Sequence, residues 1–174
     1  IAVENLYHHT NFDLVNRLVF VDDRSTDGAA EACAEMCKKH GVGEVHHVDG
    51  GSVTNALHYG VKPYLDDDVS YMVKLDNDIV VCDQWLDIMF KVIEENEDCE
   101  RCAIALAHHW HPTRELERYH TIPYLGCGNF IMRWEKYKRV HPLGVTDDPS
   151  TYMAWSLGRI WRRLSEAGLI SFCK

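Results

Sequence analysis

Short apolar runs alternate with helical stripes along most of this chain, and that alternation constrains its fold more than any single motif does. The runs RLVFVD (17–22), EVHHV (44–48), YMVKL (71–75) and CAIALA (102–107) read as strands rich in β-branched and apolar residues. The four consecutive apolar residues of LVFV predict a strand covered on both faces. Between the runs, Ala30, Cys33, Ala34 and Cys37 share one helical face, a second helix carries Asn55, Leu57 and Tyr59, and a third over 83–95 buries Leu86, Met89, Phe90 and Ile93. Residues 1–10 carry a further helical stripe. Such an order predicts an α/β fold, a mostly parallel, Rossmann-like sheet flanked by helices on both faces.

In sheets of this kind, ligands bind beyond the carboxyl ends of the strands. Asp22 and Asp23 close one strand and Asp76, Asn77 and Asp78 close another, so both groups are expected to line one cleft. In an extended segment residues i and i+2 point the same way. Asp76 and Asp78 then face one hard divalent cation, Mg2+ or Mn2+, with phosphate oxygens completing its shell. The same three residues are also ordinary turn formers, and that reading stands beside the first.

The connections have their own signals. DDRSTDG (22–28) is a turn in which Ser25, Thr26 or Asp27 caps the next helix, which Gly41 and Gly43 end. Asp66, Asp67 and Asp68 form a solvated loop. Residues 108–124, with four histidines and two prolines, read as a loop or flap. LGCGNFIMR (125–133) contains a short strand with Gly126 and Gly128 ahead of it, 134–140 is helical, and GLISFCK ends the chain as a strand. Asp147 and Asp148 precede a helix carrying Met153, Leu157, Ile160, Trp161 and Leu164 on one face.

With 174 residues, 46% of them apolar, the chain can build one core, and residues 1–174 are expected to be a single domain. The net charge of -9 argues against a broad nucleic-acid-binding face. No apolar run approaches the roughly 18 residues of a membrane span. Seven scattered cysteines do not form a disulfide scaffold and suit a reducing, cytoplasmic setting. Cys99 and Cys102 invite a zinc reading, but five residues separate Cys102 from His108, against about twelve in a zinc finger.

In their order, the strand with DDRSTDG, then GGSVTNALHYG (50–60), KLDNDI (74–79), GCGNFIMR (126–133) and the Asp147–Asp148 pair resemble the family 2 glycosyltransferases. The resemblance implies the GT-A fold, with the family's first strand expected ahead of Ile1. It implies that Asp22 or Asp23 binds the base or ribose of a nucleoside-diphosphate sugar donor, with Ser25, Gly51, Asn55, Lys74, Asp76 and Asn77 also in the donor site. Asp76 and Asp78 would hold the metal that stabilises the leaving diphosphate. Asp148, or else Asp147, would be the base that deprotonates a carbohydrate, lipid-linked or protein acceptor hydroxyl. Attack assisted by a single base implies inversion at the anomeric carbon. Two alternatives are a nucleotidyltransferase and a non-catalytic nucleotide- or sugar-binding module of the same fold. As helix N-caps, Asp147 and Asp148 have an ordinary structural use as well.

Overall fold

The computed structural model describes residues 2–51, 53–95, 101–102, 114–115, 120–121 and 130–140. Helix α1 (Ala2–His9) opens the chain as its stripe predicts. It buries Tyr7, whose hydroxyl donates to the Val42 carbonyl at 2.6 Å. Strand β1 (Val19–Asp22), helix α2 (Ala29–His40) and strand β2 (Glu44–His47) follow, and the two strands pair in parallel with Val19 opposite Glu44 and Asp22 opposite His47. Every residue of β1 is half-buried rather than covered on both faces. The reason is local: among the described residues only one edge of β1 has a ladder partner.

Helix α2 buries Ala30 and Cys37 and half-buries Cys33, whereas Ala34 is exposed, so its apolar face is narrower than the sequence spacing implies. The residue before its first turn is Gly28, at φ 83°, and not one of the three polar candidates. Ser25 stands three residues ahead of that position, where its amide donates to Asp22. Asp27 still contributes, accepting the Ala29 amide at 3.1 Å. At the other end Gly41 adopts φ 69°, a left-handed conformation open to glycine at little cost, and its amide closes on the Cys37 carbonyl at 2.8 Å.

The second half is built on helix α3 (Val53–Val61), strand β3 (Tyr71–Lys74), helix α4 (Trp85–Glu95), strand β4 (Arg101–Cys102), the short pair β5 (Arg114–Glu115) and β6 (His120–Thr121), strand β7 (Phe130–Arg133) and helix α5 (Trp134–Val140). β7 lies between β3 and β4 and is antiparallel to both, so β3 and β4 run the same way. Parallel pairing is thus direct for β1 and β2, while β7 is a reversed strand between two others. Within the loop expected at 108–124, β5 and β6 form an antiparallel pair.

Alternation along β3 and β7 divides the core. Met72, Phe130 and Met132 pack with Trp134 and Tyr137 and receive Leu57 and Val61 of α3. Ile131 joins Leu86, Met89 and Ile93 of α4, with Tyr71 and Val73 against them. Residues i and i+1 of a strand face opposite sides, so α3 and α4 cover opposite faces of this sheet. The stripe of α4 buries Leu86, Met89 and Ile93 as expected, the last fully, while Phe90 is half-buried. Of the three loop aspartates, Asp66 and Asp68 are exposed, but Asp67 is half-buried, paired with Arg17 Nε at 3.0 Å. Its carbonyl also accepts the Trp134 indole N–H at 3.0 Å.

Candidate functional site

The parallel register of β1 and β2 sets Asp22 beside His47 at the carboxyl ends of both strands. Asp22 Oδ2 lies 3.1 Å from His47 Nδ1, and Oδ1 accepts the Ser25 amide at 3.2 Å. A hydrogen bond from the Ser25 side chain, followed by the His47 contact, holds the Asp22 carboxyl below the usual carboxylate range. Only 10% of the Asp22 side chain is exposed, against 71% for His47. His47 therefore offers the more accessible surface at this corner.

Asp23 turns toward the segment after β2. Its Oδ1 accepts the amides of Gly50 at 2.8 Å and Gly51 at 3.3 Å. Asn55, buried in the first turns of α3, donates from Nδ2 to the Gly50 carbonyl at 3.0 Å. Gly50 is thus held at its amide by the residue that follows β1 and at its carbonyl from α3. Arg24 adds a third tie, from Nη1 to Asp49 at 2.8 Å, with Nε 3.5 Å from Asp23. It does so with φ 64°, a left-handed conformation that disfavours a residue with a side chain. Of the expected donor residues, Asp22, Asp23, Ser25, Gly51 and Asn55 are thus joined in one hydrogen-bonded corner.

Arg24 and His47 were not singled out in the sequence, yet a signal for each exists. Adjacent parallel strands that end together make their last residues neighbours, which pairs Asp22 with His47. An arginine directly after two aspartates is the nearest cation for either.

The other group begins where β3 stops. Lys74 is 8% exposed and its ammonium is ion-paired to Asp76 Oδ1. The chain then turns, with the Ile79 amide directed at the Asp76 carbonyl at 3.4 Å, and Asn77 and Asp78 exposed. Extended geometry therefore ends before Asp76, and the same-side argument for Asp76 and Asp78 does not apply to a turn. Two carboxylates within three residues of surface turn still offer the hard oxygen donors that Mg2+ or Mn2+ takes. A cation bound there would compete with the Lys74 ammonium for Asp76. Among the described residues, no three His, Cys, Asp or Glu side chains gather as a ligand set. Asp147 and Asp148 lie outside the described residues.

α3 connects the two groups. It presses on β1 through Gly60 and Val21 and on the β3 layer through Leu57 and Val61. No helix among the described residues is long and apolar enough to cross a membrane. In comparison with known proteins, the model of the family described as Glycosyl transferase family 2 matches residues 3–104, a span that runs from α1 through β4 and contains both acidic groups. No curated protein and no solved structure matches the chain.

Proposed function

Since this chain belongs to glycosyl transferase family 2, we propose that it moves a sugar from a nucleoside-diphosphate sugar to an acceptor hydroxyl, with a divalent cation at the diphosphate and inversion at the anomeric carbon. The observation that carries this reading is the corner where Asp22 and Asp23 are bonded to Ser25, His47, Gly50 and Gly51. It stands at the carboxyl ends of two parallel strands, where ligands bind in doubly wound sheets. The base or ribose docks there, and the diphosphate extends to the Asp76–Asp78 turn in the same cleft. The GT-A fold that the family implies supplies this arrangement as one mostly parallel sheet.

Asp76 and Asp78 hold the cation, Mn2+ or Mg2+, which when bound neutralises charge on the departing diphosphate. Lys74 and Asn77 complete the diphosphate end. Asp148 takes the acceptor proton, with Asp147 as the second candidate. The acceptor is a carbohydrate, a lipid-linked sugar or a protein.

The test is thermal unfolding with uridine, guanosine and thymidine diphosphates, each with manganese and with chelator. A ligand that binds only the folded state stabilises it by about 2.7 kcal/mol at a hundredfold excess over its dissociation constant. Stabilisation by one diphosphate with manganese, lost in Asp78→Ala, is the expected result. Equal stabilisation in chelator overturns the metal assignment, and no stabilisation by any diphosphate overturns the donor site.

A further inference from the structure

The Asp76–Asp78 turn is suspended between two fixed points. The upstream point is the end of β3, where Lys74 pairs with Phe130 in the β3–β7 ladder. The downstream point is Val81, which is 6% exposed and belongs to no strand. A buried backbone amide and carbonyl must still find partners. Both find them in one side chain: the Val81 amide donates to Asn5 Oδ1 at 2.7 Å, and the Val81 carbonyl accepts from Asn5 Nδ2 at 3.1 Å. A carboxamide offers one acceptor and one donor face side by side, so Asn5 does at this residue what an adjacent strand would do.

The same end of α1 also holds the chain beyond Val81. His9 Nδ1 meets the Asp83 carboxylate, and the Trp85 indole N–H donates to Thr10 Oγ1 at 3.0 Å. Asn5 and His9 are four residues apart and share one side of the helix. Val81, Asp83 and Trp85, every second residue of the exit segment, are thus tied to α1 or the residue after it.

We propose that Asn5 is a positioning residue for the diphosphate site, setting through its two bonds to Val81 where Asp76 and Asp78 lie, without touching the ligand itself. The inference rests on reading the Asp76–Asp78 turn as the diphosphate end of the donor site. Only two residues, Ile79 and Val80, separate Asp78 from the held backbone. Displacement of Val81 is therefore passed to Asp78 with little slack. Asparagine is specifically suited. Alanine leaves both backbone groups unpaired, and aspartate keeps the bond to the amide but sets a carboxylate against the carbonyl.

The experiment uses Asn5→Ala and Asn5→Asp in the full chain. Hydrogen exchange is followed over residues 75–82, and uridine, guanosine and thymidine diphosphates are titrated calorimetrically with manganese and with chelator. Faster exchange over 75–82 is expected, with exchange over β1 unchanged. The gain in diphosphate affinity that manganese gives should fall by about tenfold, in the range known for residues that orient metal ligands, while affinity in chelator stays the same. Should Asn5→Ala not fold, Asn5→Asp carries the test. Faster exchange with an unaltered manganese gain makes Asn5 merely structural and overturns the proposal, as does unaltered exchange. A parallel fall in both affinities also overturns it, because that is general damage. If the unmutated chain binds no diphosphate, the donor-site reading fails first and takes this role with it.

Discussion

Asp23 Oδ1 lies 2.8 Å from the amide nitrogen of Gly50, so a carboxylate just past the end of β1 fixes the backbone that leaves β2. The same oxygen takes the Gly51 amide at 3.3 Å. Hydrogen bonds to a charged group contribute about 1.5–3 kcal/mol each, and the donors here are partly buried. Asp23→Ala is therefore expected to lower stability by about 2 kcal/mol in urea unfolding. Asp23→Asn keeps a neutral oxygen acceptor and should lose less. Equal losses for both variants would show that the carboxamide cannot take over the acceptor role.

Asp22 predicts a pH dependence. Its carboxyl is held below the ordinary value by the Ser25 side chain first and His47 next. The folded state therefore favours the ionised form. The stability this contributes is fully present above the unperturbed aspartate value of about 3.9 and is lost as the pH falls from there through the lower folded value. Asp22→Asn should flatten the acid limb of a stability–pH curve and leave the limb above pH 5, by about one unit clear of that titration, unchanged. An acid limb identical to that of the unmutated chain would mean that Asp22 is not ionised preferentially in the fold.

Catalysis is tested separately from binding by Asp148→Asn. Asparagine keeps the size and the capping oxygen of aspartate but takes no proton at neutral pH. Removing a general base slows turnover by about a hundredfold to ten-thousandfold, far beyond the effect of a lost cap. Transfer by Asp148→Asn should fall by that factor with donor affinity nearly intact. Transfer within a few-fold of the unmutated protein moves the assignment to Asp147.

Local features were the legible ones in the sequence. The stripe Leu86, Met89 and Ile93 fixed α4, because burial of one helical face repeats within a few residues. Gly41 marked the end of α2, because the left-handed residue that closes a helix is most often glycine. The direction of β7 was not legible, since the residues FIMR serve equally well in a parallel or an antiparallel strand and only the partners decide. The cap of α2 falls on Gly28 rather than on a polar residue because the chain enters the helix there at φ 83°, a left-handed conformation open to glycine at little cost. The geometry of Asp76–Asp78 was read as extended although turn chemistry was equally present, and the Ile79 amide chose the turn. The bond from Asn5 to Val81 joins residues far apart in the chain, and no periodicity signals such a pair. Within the corner around Asp22 and Asp23, the acidic residues were visible as strand ends, whereas the bonds that His47 and Arg24 make there follow from the pairing of β1 with β2.

Gly60 supplies a test of the packing that carries this corner. A Cβ added there would stand 2.4 Å from Val21 Cγ2 and 3.1 Å from Cγ1. Valine is branched at Cβ and stiff at χ1, so neither methyl can swing aside. Elsewhere, replacing a helical glycine by alanine favours the helix by roughly 1 kcal/mol. Here the sign should reverse, because α3 must lift from β1 to admit the methyl group, and overpacking of this kind costs about 1–3 kcal/mol. Gly60→Ala is thus expected to unfold at lower urea concentration than the unmutated chain. Val21→Ala removes both obstructing methyls, so the double variant should be more stable than the sum of the single changes, by about 0.5–3 kcal/mol of coupling for residues in contact. Val21 directly precedes Asp22, and the lifted helix should also weaken diphosphate binding in Gly60→Ala and restore part of it in the double variant. Additive stabilities would mean that α3 does not approach β1 through this pair.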